Sequence, residues 1–452
     1  RDPCAILIGG RRASGRRTLA RLAADRPVVA LDLERIDRAS SLGEALAALG
    51  RESLLRGALP LVAGLDDSSD GALRRREVAR FVEASPTPVF VVTTGTPPAL
   101  ELSRPVFRFE LRVPPPRTRA AMWGRELGGE AGAIAEGVAR VAQRFQLGPG
   151  GIHDAVVAAR ASATARDQPV VETDLVEGVR STVEERLHGL ARRHTTELTW
   201  DEVVLAPDIV NQVELLLVRI RDGYRVLETW GFQRNLPGSG VTALFSGPPG
   251  TGKTMLAAVL AATLGLELFR IDLSQITSKY IGETEKHLDR VFDAAETGHA
   301  MLLFDEADSL FAKRTEVKGA TERYANLEVN FLLQRLETFG GVAILTTNMD
   351  GSLDPAFRRR LAAHIRFPPP DVDERAELWR RLLPRAAPVA ADLDFGELAR
   401  DFPAFAGAQI RNALTTAAFL AVISGGTIDQ SLLRLAAAEE TQAMGRIVTA
   451  TR

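Results

Sequence analysis

The stretch Gly247-Pro-Pro-Gly-Thr-Gly-Lys-Thr254 constrains this chain more than any other. It follows the apolar run Ala243–Phe245 and opens the apolar pattern Met255–Leu264, the strand-loop-helix setting that a phosphate loop requires. In such a loop Gly247, Pro248, Pro249, Gly250, Thr251 and Gly252 shape a backbone whose N–H groups wrap phosphate oxygens, and the helix N-terminus adds its dipole. Lys253 then meets the β and γ phosphates and the Thr254 hydroxyl ligates Mg²⁺. Met255 completes the stretch expected to touch ATP. A strand feeding a loop and a helix in this way implies an α/β chain with a parallel sheet.

A second constraint is internal repetition, which decides how many such units exist. Leu61-Val-Ala-Gly-Leu-Asp-Asp-Ser68 can be laid on Leu302-Leu-Phe-Asp-Glu-Ala-Asp-Ser309, and Val91-Val-Thr-Thr-Gly95 on Ile344-Leu-Thr-Thr-Asn348. Arg112-Val-Pro-Pro-Pro116 matches Arg366-Phe-Pro-Pro-Pro370, and each leads to an Arg-x-x-x-Trp pair, Arg119 with Trp123 and Arg375 with Trp379. Upstream, Gly10–Arg17 lies over Gly247–Thr254. The runs Val89–Thr93 and Ala343–Thr346 are continuous rather than alternating, as in central strands buried on both faces.

Two tandem α/β modules are therefore expected. Each is a parallel-sheet phosphate-loop core with helices on both faces, followed by a small helical lid. The expected boundaries are a first module over 1–190 (core 1–117, lid 118–190), a linker over 191–200, a second core over 201–370 and a second lid over 371–452. The first module reads as truncated at its start, since the chain opens at Arg1 without an initiator methionine.

In the second copy the apolar run Met301–Phe304 ends in Asp305-Glu306. This places two carboxylates at the C-terminal end of a buried strand, where ligands bind in open α/β sheets. Asp305 is expected to hold Mg²⁺ and Glu306 to polarise the attacking water. Asn348, at the end of the next run, is placed to orient that water.

These motifs, together with Phe357-Arg-Arg-Arg-Leu361, resemble the AAA family, close to its protein-remodelling branch, over residues 200–445. The resemblance implies that Arg359 and Arg360 reach the nucleotide of a neighbouring protomer, and such a contact can be worth ~10³ to 10⁵ in rate. Leu361 departs from the phenylalanine usual after those arginines. It further implies that Gly407-Ala408 is the lid's adenine-side step, that Trp200–Leu205 runs along the adenine edge, and that Lys279-Tyr-Ile-Gly282 is a pore loop. In that loop Tyr280 would grip an extended polypeptide while Lys279, Ile281 and Gly282 frame it. The first copy resembles the same family in degenerate form: Arg16 stands in the lysine position, Arg17 where the hydroxyl belongs, and Gly64-Leu65 where Asp-Glu belongs. The tandem layout also resembles bacterial AAA proteins that accompany contractile injection systems.

The expected function is an ATP-hydrolysing, protein-remodelling ring, a homo-oligomer of six protomers acting on a protein client, with hydrolysis confined to the second module. An ATP-switched assembly scaffold without threading is the alternative reading. A nucleic-acid motor is disfavoured: the formal charge of -2 over 452 residues offers no basic stripe with interleaved aromatics. Cys4 is the single cysteine, which fits a reducing cytoplasm, and no apolar run reaches the roughly 18 residues that span a bilayer. Lysine occurs only at Lys253, Lys279, Lys286, Lys313 and Lys318, so in an arginine-dominated chain the lysine of the phosphate loop carries extra information.

Overall fold

The computed structural model describes residues 3–11, 13–36, 41–65, 71–232, 240–271, 283–308, 330–349, 358, 361–424 and 426–445. It divides into two compact units, residues 1–188 with 277–299, and residues 189–276 with 300–452. The helix Glu283–Gly298, expected within the second core, is thus grouped with the first unit.

In the first unit the strands β1 (Ala5–Gly10), β2 (Val28–Asp32), β3 (Leu59–Ala63), β4 (Val89–Val92) and β5 (Val106–Leu111) form a sheet in the order β2-β3-β4-β1-β5. All of its pairings are parallel. Alternate residues of the central strands feed two separate cores: Val89 and Val91 enter one with Leu7 and Val62, while Phe90 and Val92 enter the other with Ile8 and Leu61. Burial on both faces is why these strands are continuously apolar. Helices Pro116–Leu127, Ala135–Arg144, Pro149–Ala165 and Glu172–Leu187 follow the sheet.

The second unit has strands β6 (Ala191–His194), β7 (Val241–Ser246), β8 (Glu267–Ile271), β9 (Ala300–Phe304), β10 (Val342–Thr347) and β11 (Ala363–Arg366), in the order β11-β7-β10-β9-β8-β6. Without β6, this is the strand order of the first sheet. β6 pairs antiparallel to β8, so part of the stretch expected to be a linker closes one edge of the sheet. Helices Val372–Arg381, Phe395–Asp401, Gly407–Ser424 and Gln430–Ala443 enclose a small core of their own around Trp379, Leu398, Phe405 and Ile410.

The repeated Arg-x-x-x-Trp has one structural meaning in both units. Arg375 is 5 % exposed; its Nε donates to Ala399 O at 3.0 Å and its Nη1 to Pro370 O at 2.5 Å. Arg119, also 5 % exposed, donates to Ala142 O at 2.9 Å and to Pro114 O at 2.5 Å. Each guanidinium ties the proline-rich strand exit to a helix further along the chain, Phe395–Asp401 or Ala135–Arg144, satisfying carbonyls that burial would otherwise leave unpaired. Trp123 and Trp379, one turn on, are fully buried.

Candidate active site

The second unit's site begins with the loop after β7. Gly252 adopts φ 94° and caps the helix Lys253–Leu264; an L side chain rarely enters this region, and glycine does so freely. At Gly247 a Cβ would lie 2.2 Å from Phe367 O, so the loop can pass the strand exit only as bare backbone.

That geometry buries Lys253 at 8 % exposure and aims it inward. Its Nζ donates to Gly247 O at 2.7 Å, Pro248 O at 2.8 Å and Asn348 Oδ1 at 3.0 Å. Burial pushes the lysine pKa down, opposed by the nearby carboxylates of Asp305, Asp308 and Glu306. A bound polyphosphate would add negative charge that favours the ammonium form.

Asp305, just past β9, gathers contacts from three elements. Its Oδ1 accepts from Thr254 Oγ1 at 3.0 Å and from Thr346 Oγ1 at 2.5 Å. Its Oδ2 lies 2.9 Å from Arg270 Nη2. The Thr254 hydroxyl and the Asp305 carboxylate therefore converge, as a hard cation that prefers oxygen ligands would need. Among the described residues no group of three or more His, Cys, Asp or Glu side chains is placed to hold a metal. Thr254 and Asp305 could hold Mg²⁺ alongside a bound nucleotide.

Glu306 turns through φ 54°, a backbone state that costs a non-glycine residue of order 1 kcal/mol and that clusters at functional sites. Its N–H donates to Thr346 Oγ1 at 3.0 Å, so one threonine holds both carboxylate positions. Asp308 does the same for the neighbouring strand: it accepts from the Thr347 hydroxyl and from Asn348 N at 2.8 Å. Thr346, Asp308 and Arg270 have no place among the sequence expectations. Of these, Asp308 and Thr346 leave a trace in the sequence, as the residues shared with Asp67 and Thr93 in the repeat, and Arg270 leaves none.

A cavity of about 510 Å³ joins these groups. Pro249 through Met255, Asp305, Glu306, Asn348, Gly407 and Ala408 all line it, as do Val204 and Leu205. The lid step packs onto the loop so closely that a Cβ at Gly250 would meet Ala408 Cβ at 3.0 Å. The structure thus brings the phosphate-loop, strand-end and lid residues to one cavity. His194, Thr195 and Thr196, expected from sequence as linker, also line it. Lys279, Tyr280, Ile281 and Gly282, and Arg359 and Arg360, lie outside the described residues.

Residues 243–369 match the model of the ATPase family associated with various cellular activities, AAA. The chain thus carries an AAA-family ATPase domain. Residues 115–197 match the contractile injection system ATPase helical domain, which covers the four helices that follow the first sheet. Among similar proteins, the cell division cycle protein 48 homolog of Archaeoglobus fulgidus is 36% identical over 183 residues, 40% of this chain and 25% of the relative. A katanin p60 ATPase-containing protein of Danio rerio is 33% identical over 242 residues, 49% of this chain and 46% of the relative. Protein CdcH of Halobacterium salinarum is 36% identical over 183 residues, 40% of this chain and 24% of the relative. The chain therefore spans less than half of each. No helix among the described residues is long and apolar enough to cross a membrane.

Proposed function

We propose that the chain is an ATP-driven protein-remodelling motor that works as a homo-oligomeric ring of six in the cytoplasm, with hydrolysis confined to the second unit. The observation that carries this reading is the convergence of Lys253, Thr254, Asp305, Glu306 and Asn348 on the one cavity of about 510 Å³ beside the lid step. Lys253 and the loop N–H groups bind and neutralise the phosphates. Thr254 and Asp305 would hold Mg²⁺, which when bound screens the charge that develops on the phosphate oxygens. Glu306 accepts the proton of the attacking water, Asn348 orients that water, and Arg359 and Arg360 act in the adjoining protomer's site. The near-neutral formal charge of -2 favours a protein client over nucleic acid.

The first unit is a degenerate copy of the same module. The shared strand order supports this, as do the loop glycines: Gly10 and Gly15 take φ 146° and 85°, against 144° and 94° at Gly247 and Gly252. Its site chemistry is gone. Arg16 Nη1 bonds the Thr93 carbonyl, and Arg17 pairs with Asp32 at 2.5 Å. Thr93, the counterpart of Thr346, is fully buried and its hydroxyl has no hydrogen-bond partner among the described residues, as expected where Gly64 stands in place of the carboxylate that Thr346 serves.

Threading through the ring is tested at Tyr280. An aromatic grip is sequence-tolerant apolar purchase, so Tyr280→Ala should leave basal ATP turnover within about twofold and abolish most client processing, a loss on the order of tenfold or more. Client processing at the unmodified rate would exclude threading and leave an ATP-switched scaffold.

A further inference from the structure

Asp305 is the carboxylate through which this site meets a divalent cation, and one of its oxygens is already engaged by a cation of the protein's own. Arg270 stands on β8 directly beside β9, with Arg270 paired to Leu303 and Ile271 to Phe304. Arg270, next to last in β8, is exposed between the buried Phe269 and Ile271, while Leu268 on the same strand face is buried in the core. The guanidinium therefore lies along the C-terminal end of the sheet, and its Nη2 reaches Asp305 Oδ2 at 2.9 Å. The Asp305 side chain is only 9% exposed, that of Arg270 49%. Burial of the acceptor strengthens the pair, while exposure of the donor leaves it free to swing into water.

Both oxygens of Asp305 are thus committed, Oδ1 to the hydroxyls of Thr254 and Thr346 and Oδ2 to Arg270. The local charges are the carboxylates of Asp305, Glu306 and Asp308 against Lys253 and Arg270. A divalent cation that engages Asp305 meets a carboxylate whose charge a guanidinium already offsets.

We propose that Arg270 is a built-in competitor of Mg²⁺ for Asp305, a positioning residue that raises the magnesium concentration at which the site closes on a nucleotide. This rests on the assignment of Asp305 to the metal, and the test separates the two. Arg270→Met removes the competitor and keeps the apolar stem. Arg192→Met is the control: Arg192 faces Arg270 across the β6–β8 ladder, so its loss changes the local field without touching Asp305. The readout is binding of a fluorescent N-methylanthraniloyl ADP to the full chain, titrated with MgCl₂.

In Arg270→Met the half-saturating Mg²⁺ should fall by roughly three- to tenfold, with metal-free binding in EDTA weakened or unchanged. In Arg192→Met it should stay put. A half-point in Arg270→Met that is unmoved or raised overturns the proposal, as does an equal fall in Arg192→Met. If nucleotide binding of the unmodified chain ignores Mg²⁺ altogether, the metal assignment fails instead.

A double-mutant cycle on thermal unfolding in EDTA gives a second readout. Arg270→Met should lower the melting temperature in the unmodified background and not in Asp305→Asn. Equal losses in both backgrounds would show that the pair carries no coupling and would sink the idea.

Discussion

Replacing Glu306 with Gln should leave ATP bound and stop its turnover. The substitution keeps the shape of the side chain, and the left-handed backbone at φ 54° is held by the Thr346 hydroxyl through the main-chain N–H, which the amide does not disturb. What is lost is the base. A positioned carboxylate contributes ~10² to 10⁴ in rate to proton transfer, so steady-state hydrolysis should fall by about 10³-fold while ATP affinity stays within a few-fold. Single-turnover hydrolysis alongside equilibrium binding checks both halves. Turnover within about tenfold of the unmodified chain would remove Glu306 from its role. ATP-trapped rings that then still process client would favour the scaffold reading over the motor.

The second large effect concerns the two phosphate loops. Lys253→Met should strongly weaken nucleotide binding, because the ammonium is buried, has three acceptors in reach and stands where a polyphosphate charge would sit. Truncating one side of a buried charged contact costs about 2–5 kcal/mol, which is a weakening of roughly 30- to several-thousand-fold. Arg16→Met, at the matching position of the first unit, should leave total ATP turnover within about twofold, since that unit has Gly64 and Leu65 at its strand end. Parallel nucleotide titrations and turnover assays of the two variants decide the matter. Loss of most turnover in Arg16→Met would show that the first loop is not idle.

Legibility varies with distance along the chain. The loop Gly247–Thr254, the Asp305-Glu306 pair and Asn348 are readable because each is a local pattern at the end of an apolar run, and the sheet topology gathers strand ends without further instruction. The Arg119–Trp123 and Arg375–Trp379 pairs can be matched as a repeat, but their shared job of binding the carbonyls of Pro114 and Pro370 is invisible until the lid folds. Ala191–His194 reads as linker since Ala-Arg-Arg-His has neither apolar content nor period-two alternation; it becomes a strand only because β8 presents an unpaired edge. Arg270 looks like a surface residue of β8, and its reach to Asp305 depends on the parallel register of β8 and β9. Asp308 and Thr346 likewise act through side-chain bonds some forty residues apart in the chain.

By itself, then, the sequence determined the class of chemistry: a glycine-rich turn with a lysine and a hydroxyl admits few uses, and that constraint is local and covalent. The tertiary structure alone decided how the site is governed. Which threonine holds the carboxylates, which aspartate fixes Asn348 and which arginine competes for Asp305 are settled by strand order and register, because only packing brings those side chains within hydrogen-bond reach.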